Sequence, residues 1–228
     1  MKSLSRLALA AAAILATAAL AAAQAPSGVL NKLEVQKLVA ADTPEANTAL
    51  AGHFAELADR YTAEAAQHTG MARAYRANSN RSPATGAAAH CERLARLANE
   101  SAAEAREMVT FHETLAAGDV AAVPKSAAKF HGGEGAPEPT AIDLHHLAMM
   151  ASTPADHRSL EEYFTTQAKK YTADANVHTA MARSYRARVW KGGGDPADHC
   201  DRLAKFARQS AKEATEAASL HRQLANVG

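Results

Sequence analysis

Apolar and aromatic side chains recur at steps of three and four residues along most of this chain. One such stripe consists of Leu50, Phe54, Leu57, Tyr61, Ala65, His68, Ala72 and Tyr75. Because an α-helix turns once every 3.6 residues, this spacing places all of these side chains on one face. The stripe predicts a long amphipathic helix. No segment alternates with period two, so we predict no strands.

A second stripe follows a short polar segment and predicts a second long helix. It consists of Cys91, Leu94, Ala98, Ser101, Ala105, Met108, His112 and Leu115. Alanine and serine at many of these positions permit neighbouring helices to approach closely. The first stripe is preceded by Thr43-Pro44, a threonine N-cap with proline at the first helical position. The two stripes together predict a helical hairpin.

The same hairpin pattern occurs twice. A shift of 110 residues aligns 43–77 with 153–187, a shift of 109 aligns 88–117 with 197–226, and about half of the aligned residues are identical. A short apolar segment precedes each hairpin, at 30–40 and 142–151. We therefore predict an all-α fold of internally duplicated hairpins, each preceded by a short helix, that close into a four-helix bundle.

The domain organisation follows from the repeat. Residues 24–117 form repeat 1, residues 118–141 form a linker rich in Gly, Pro and Ala, and residues 142–228 form repeat 2. In an up-down-up-down bundle both hairpin loops lie at the same end, and the second helices of the two hairpins are diagonal neighbours.

The first 23 residues have the pattern of a signal peptide. A short basic segment, MKSLSR, precedes an apolar run and small residues, which predicts cleavage after Ala23. We expect an exported protein, periplasmic or secreted, with no membrane insertion after cleavage, because no second run has the length of a span. Loss of Lys2 and Arg6 leaves a net charge near −1, which argues against nucleic acid as a partner.

Side chains that can bind metals occupy matching positions in the two repeats. Imidazole, thioether and thiolate are ligands that suit copper, with zinc an alternative for the nitrogen and thiolate subset. Counting turns from the hairpin loop places Met71 about 5 Å along the axis from Cys91. The predicted ligands are Met71, His90, Cys91 and their equivalents Met181, His199 and Cys200, with His68 and His178 as further ligands or supporting residues. Noncovalent haem held by His68 and His178 is a variant of this hypothesis.

The alternative hypothesis gives the histidines a structural role. A histidine on an apolar helical face often forms a hydrogen bond with tyrosine or a carboxylate in the core, and Cys91 and Cys200 are able to form a cross-repeat disulfide if their helices are adjacent. The protein would then be a non-catalytic structural or interaction module that contacts another envelope protein or a second copy of itself. No complete catalytic set is visible, so we expect no enzymatic activity.

Repeat 2 alone carries a second group of histidines and methionines. His145, His146, Met149 and Met150 lie in its short apolar segment, where repeat 1 has no such residues. This group predicts either a surface site that captures copper or an amphipathic helix with incidental histidines.

Overall fold

The computed structural model describes residues 29–78, 85–118, 140–188 and 195–227, and these fold into helices with no strand. The all-α prediction is therefore confirmed. The helices are α1 (Lys32–Ala41), α2 (Pro44–Ala77), α3 (Thr85–Ala117), α4 (Ala141–Met150), α5 (Pro154–Arg186) and α6 (Pro196–Val227). The predicted signal peptide and most of the predicted linker lie outside the described residues. None of the helices in the described ranges is long and apolar enough to cross a membrane.

Side-chain caps fix where the long helices begin. Thr43 accepts a hydrogen bond from the backbone N–H of Ala46 at 3.2 Å, and proline follows it at the first helical position. Thr153 and Asp156 form a reciprocal capping box at the start of α5. These caps satisfy N–H groups that have no partner within the helix, and they confirm the helix starts predicted from sequence.

Helices α3 and α6 are antiparallel neighbours. His90 of α3 contacts Glu213 of α6, and Glu104 of α3 contacts His199 of α6, so residue numbers rise on one helix as they fall on the other. Their backbones approach closely along this seam. In both contacts the two residue numbers sum to the same value, so the register is uniform over the seam.

Helices α2 and α5 are also antiparallel, but their backbones lie further apart. No Cα atom of α2 lies within 8 Å of a Cα atom of α5, although both helices lie wholly in the described ranges. Large side chains bridge the gap: Tyr61 reaches His178, and His68 reaches Tyr171. Backbone contacts therefore join α2 to α3, α3 to α6 and α6 to α5, and side chains join α2 to α5.

The topology corrects one expectation from sequence. Because α2 and α5 are antiparallel, the C-terminal end of α2 and the C-terminal end of α5 lie at opposite ends of the molecule. Helices α3 and α6 are adjacent rather than diagonal. The stretch between Ala117 and Pro154 is long enough to return along α3, about 50 Å, so it permits this order as well as up-down-up-down order.

Each short helix is held by a long helix of the other repeat. Arg188, just after α5, donates a hydrogen bond to the carbonyl of Val39 in α1. Asn78, at the equivalent position after α2, donates to the carbonyls of Ala148 and Ala151 at 3.4 and 3.0 Å. These contacts place α1 and α4 at opposite ends of the molecule.

Overfilling the alanine-rich core should destabilise the protein. Ala105 has no exposed surface and lies in a core cluster with Phe54 and Leu57. We expect Ala105→Leu to lower the free energy of unfolding by about 1–3 kcal/mol, because the added carbons have no room. Urea unfolding followed by circular dichroism measures this change. Ala103→Leu, at an exposed position of the same helix, is the matched control and should change stability little.

Candidate functional site

Four buried hydrogen bonds join a tyrosine of one sequence repeat to a histidine of the other. The hydroxyl and the imidazole Nε2 are 2.7–3.2 Å apart in each. The pairs are Tyr61–His178, Tyr171–His68, Tyr75–His221 and Tyr185–His112. Since every pair crosses between repeats, no histidine among these four finds its tyrosine within its own hairpin.

The inner two pairs lie between α2 and α5. The hydroxyl of Tyr171 donates to the carboxylate of Glu64, so His68 Nε2–H must donate to the hydroxyl oxygen. The Nδ1 atoms of His68 and His178 are buried and have no hydrogen-bond partner. Each of these two imidazoles therefore forms a hydrogen bond through only one of its two ring nitrogens.

The outer two pairs connect diagonal helices. His112 Nδ1 lies 2.8 Å from Asn47 Oδ1, which accepts, so His112 Nε2 accepts from the Tyr185 hydroxyl at 2.7 Å. His221 pairs in the same way with Tyr75, and its Nδ1 lies 3.2 Å from Nδ1 of His157. This network holds the far ends of α3 and α6 against α5 and α2.

Burial keeps the core histidines neutral. Desolvation lowers the pKa of His68 to about 4, and it lowers the pKa of His53, together with the nearby charge of Arg60, to about 4. Desolvation is also the main cause that lowers the pKa values of His112, His178 and His221 to about 3, with nearby histidines adding to it. An imidazolium in this core would lack the water and the anions that it needs.

Met71 and Cys91 are buried in one core cluster, which also contains Tyr75. Met181, Cys200 and Tyr185 repeat this grouping in the other core cluster. The structure thus buries the thioether and the thiol of each hairpin in a shared apolar cluster.

His90 is adjacent to Cys91 on α3, so its side chain points about 100° away around the helix. The Cys91 side chain is wholly buried, whereas His90 Nδ1 reaches Glu213 on α6 at 2.8 Å. His199 and Glu104 repeat this contact at 2.8 Å. One ring nitrogen of each of these histidines thus contacts a carboxylate across the α3–α6 seam, and metal binding by the full predicted set stays a prediction.

Both cysteines are free, and the cross-repeat disulfide is not formed. The register of α3 and α6 places Cys91 level with residue 212, about 18 Å along the axis from Cys200. A disulfide needs Cα atoms within about 7 Å. Burial is the main cause that raises the pKa of both thiols, so both are protonated side chains of the core.

The remaining predicted ligands lie in the core or on α4. Tyrosines take the Nε2 positions of His68 and His178, and the Nδ1 atoms of these rings have no hydrogen-bond partner in the described part of the chain. In α4, His145 Nδ1 donates to the carbonyl of Gly70 at 3.1 Å and Met149 packs on the core. His146 and Met150 face solvent.

Glu213 and Glu216 are the polar residues that sequence reasoning missed. Among the described residues, one group of three metal-capable side chains has its ligand atoms within 4.8 Å of one another, and it consists of His90, Glu213 and Glu216. Glu213 and Glu216 lie on one face of α6, three residues apart, like many solvated glutamates. Only the register of α6 on α3 brings His90 to them.

Comparison with known proteins finds no match: no protein-family model, curated protein or solved structure matches this chain. Its function is therefore inferred from its own residues.

Removing one tyrosine hydroxyl should leave a buried imidazole acceptor without a donor. We expect Tyr185→Phe to lower the free energy of unfolding by about 1–3 kcal/mol, because His112 Nε2 then has no partner. Urea unfolding measures the change. In double-mutant cycles Tyr185→Phe should couple with His112→Gln and not with His221→Gln. Equal coupling in both cycles would contradict the pairing.

The neutral core histidines should make the fold sensitive to acid. Their folded pKa values lie below the ordinary value of 6.5, so the unfolded chain binds more protons as the pH falls. Stability is full above pH 6.5 and is lost from there towards pH 4. At pH 5 each of the five histidines lowers the free energy of unfolding by about 2 kcal/mol. The sum approaches the whole free energy of unfolding of a typical domain.

Urea unfolding at pH 7.5, 6.5 and 5.0 tests this dependence at constant ionic strength. His178→Gln is the control, since its stability should fall less steeply with pH by the contribution of one histidine. A free energy of unfolding that stays constant from pH 7.5 to pH 5.0 would show that these histidines are not neutral and buried.

Proposed function

We propose that this protein is an exported, non-catalytic structural or interaction module of the cell envelope. In this proposal two duplicated hairpins form a closed four-helix bundle, and the repeated histidines hold the two units together. The observation that carries the proposal is the set of four cross-repeat tyrosine–histidine hydrogen bonds. They give the Nε2 atom of each of these four imidazoles a structural role.

The outer surface supports a role in protein contacts. Among the described residues, the exposed large apolar side chains lie on the short helices, just before α1 or at the end of α6. They are Val29, Leu33, Ile142, Met150 and Val227. Because scattered apolar side chains are common on surfaces, the concentration on α4 is the informative part. Ile142 and Met150 there are 80% and 57% exposed, on the same face two turns apart.

Copper storage or delivery is the second candidate function. The burial of Met71 with Cys91 in one cluster favours it, since thioether and thiolate suit Cu(I). The contacts of His90 with Glu213 and of His199 with Glu104 weigh against it, because one nitrogen of each imidazole is used at the α3–α6 seam. Zinc at the same residues is a variant of this candidate.

Site-specific photocrosslinking in the native host tests the interaction role. A photoreactive residue at Ile142 should give a discrete adduct with another envelope protein, because this side chain is exposed at the face proposed for contact. The same residue at Gln209, an exposed polar position on α6, is the matched control and should give none. Exported, folded protein without an adduct at Ile142 would overturn the interaction role.

A Cu(I) titration against a competing chelator tests the second candidate. The interaction module should retain no copper under reducing conditions. Retention that is lost in the Met71→Ala/Met181→Ala variant would instead establish the copper function.

A further inference from the structure

A histidine and two glutamates converge where α3 and α6 pack together, outside the tyrosine–histidine core. His90 Nδ1 lies 2.8 Å from Glu213 Oε2 and 3.9 Å from Glu216 Oε2. His90 and Glu213 are mostly buried, with side chains 14% and 16% exposed, and Glu216 is open to solvent at 45%. Burial therefore restricts the side chains of His90 and Glu213, whereas the side chain of Glu216 is able to move on the solvent side.

The hydrogen bonds at His90 Nδ1 conflict with one another. Arg93 Nη2 lies 2.8 Å from this nitrogen and can only donate, so Nδ1 would have to accept. Glu213 Oε2 also lies 2.8 Å from it and, as a carboxylate, can only accept, so Nδ1 would have to donate. One nitrogen is unable to do both. A cation between Nδ1 and the carboxylate removes the conflict, because both atoms then offer it lone pairs.

The charges around the cluster can accommodate such a cation. Arg93 Nε lies 2.7 Å from Glu213, and Lys212 Nζ lies 3.8 Å from Glu216. Partial burial alone would raise the pKa of Glu213, but hydrogen bonds from His90 and Arg93 lower it, so the carboxylate is ionised. The Arg93 side chain is 39% exposed and is free to turn towards water when a metal takes its place.

We propose that His90, Glu213 and Glu216 bind a divalent transition metal ion of the zinc type between α3 and α6. One imidazole and two carboxylates are a ligand set that zinc accepts, with water in the fourth position. Two ligands at about 2.0 Å from a tetrahedral ion lie about 3.3 Å apart, close to the His90–Glu213 separation. The site contains no sulfur, which distinguishes it from the copper set predicted from sequence.

The equivalent position on the same α3–α6 seam provides a natural control within the chain. His199, Glu104 and Arg202 repeat the inner contacts at 2.8 Å, and with them the conflict at Nδ1. Glu107, the equivalent of Glu216, does not bring a ligand atom into this second group, so the third ligand distinguishes the two positions. The ion should therefore bind at one of the two places, with one ion per chain.

Zn(II) titration of the metal-stripped full chain against a fluorescent chelator tests the proposal. The wild-type chain and Glu107→Gln should bind one ion with the same affinity. Glu216→Gln should weaken binding by more than about tenfold, since loss of even an outer partner costs that much. Glu216 is exposed and its ion pair is weak, so this variant should fold, which circular dichroism checks.

Two further measurements make the outcome decisive. Zn(II) should raise the unfolding temperature of the wild type and of Glu107→Gln, and not that of Glu216→Gln. The Co(II)-loaded protein should show no thiolate charge-transfer band. Absence of Zn(II) retention, equal weakening by Glu216→Gln and Glu107→Gln, or loss of binding in Cys91→Ala alone would overturn the proposal.

Discussion

The arrangement of the helices depends on the need to pair buried imidazoles. A polar group taken out of water costs free energy unless it finds a hydrogen-bond partner. Four histidines of this core find theirs in tyrosines of the other repeat. Each hairpin alone would therefore expose an apolar face and leave these groups unpaired. The two hairpins satisfy one another only in one antiparallel register, because a shift of one turn would separate every pair.

This pairing explains why α2 and α5 lie further apart than α3 and α6. Tyrosine–histidine pairs bridge α2 and α5, whereas Cα atoms of α3 and α6 lie within 8 Å of one another. The close approach of α3 to α6 brings their half-buried charged residues into contact, and the salt bridges at Glu104 and Glu213 result. Packing in the core thus determines which ionic groups meet at the seam.

The sequence predicts the individual helices well and their mutual arrangement poorly. Periodicity and the Thr-Pro caps locate α2 and α5 because helix boundaries are set by neighbouring residues. Hairpin order depends on a connection whose length permits either topology, so the sequence leaves open whether α3 and α6 are diagonal or adjacent. The direction of His90 is equally non-local. Its adjacency to Cys91 in sequence suggests a common site, but neighbours on a helix point about 100° apart.

Differences between the two repeats indicate where function acts, because packing explains the positions that match. The four tyrosines and four histidines that pair across the repeats are the same in both repeats, as mutual pairing requires. The surface differs: Lys212 beside Glu216 corresponds to Ala103 beside Glu107, and the histidines and methionines of α4 have no counterpart in α1. No core contact demands these differences. A metal site completed by Glu216 and a contact surface on α4 would each occur once in a chain whose core residues occur twice.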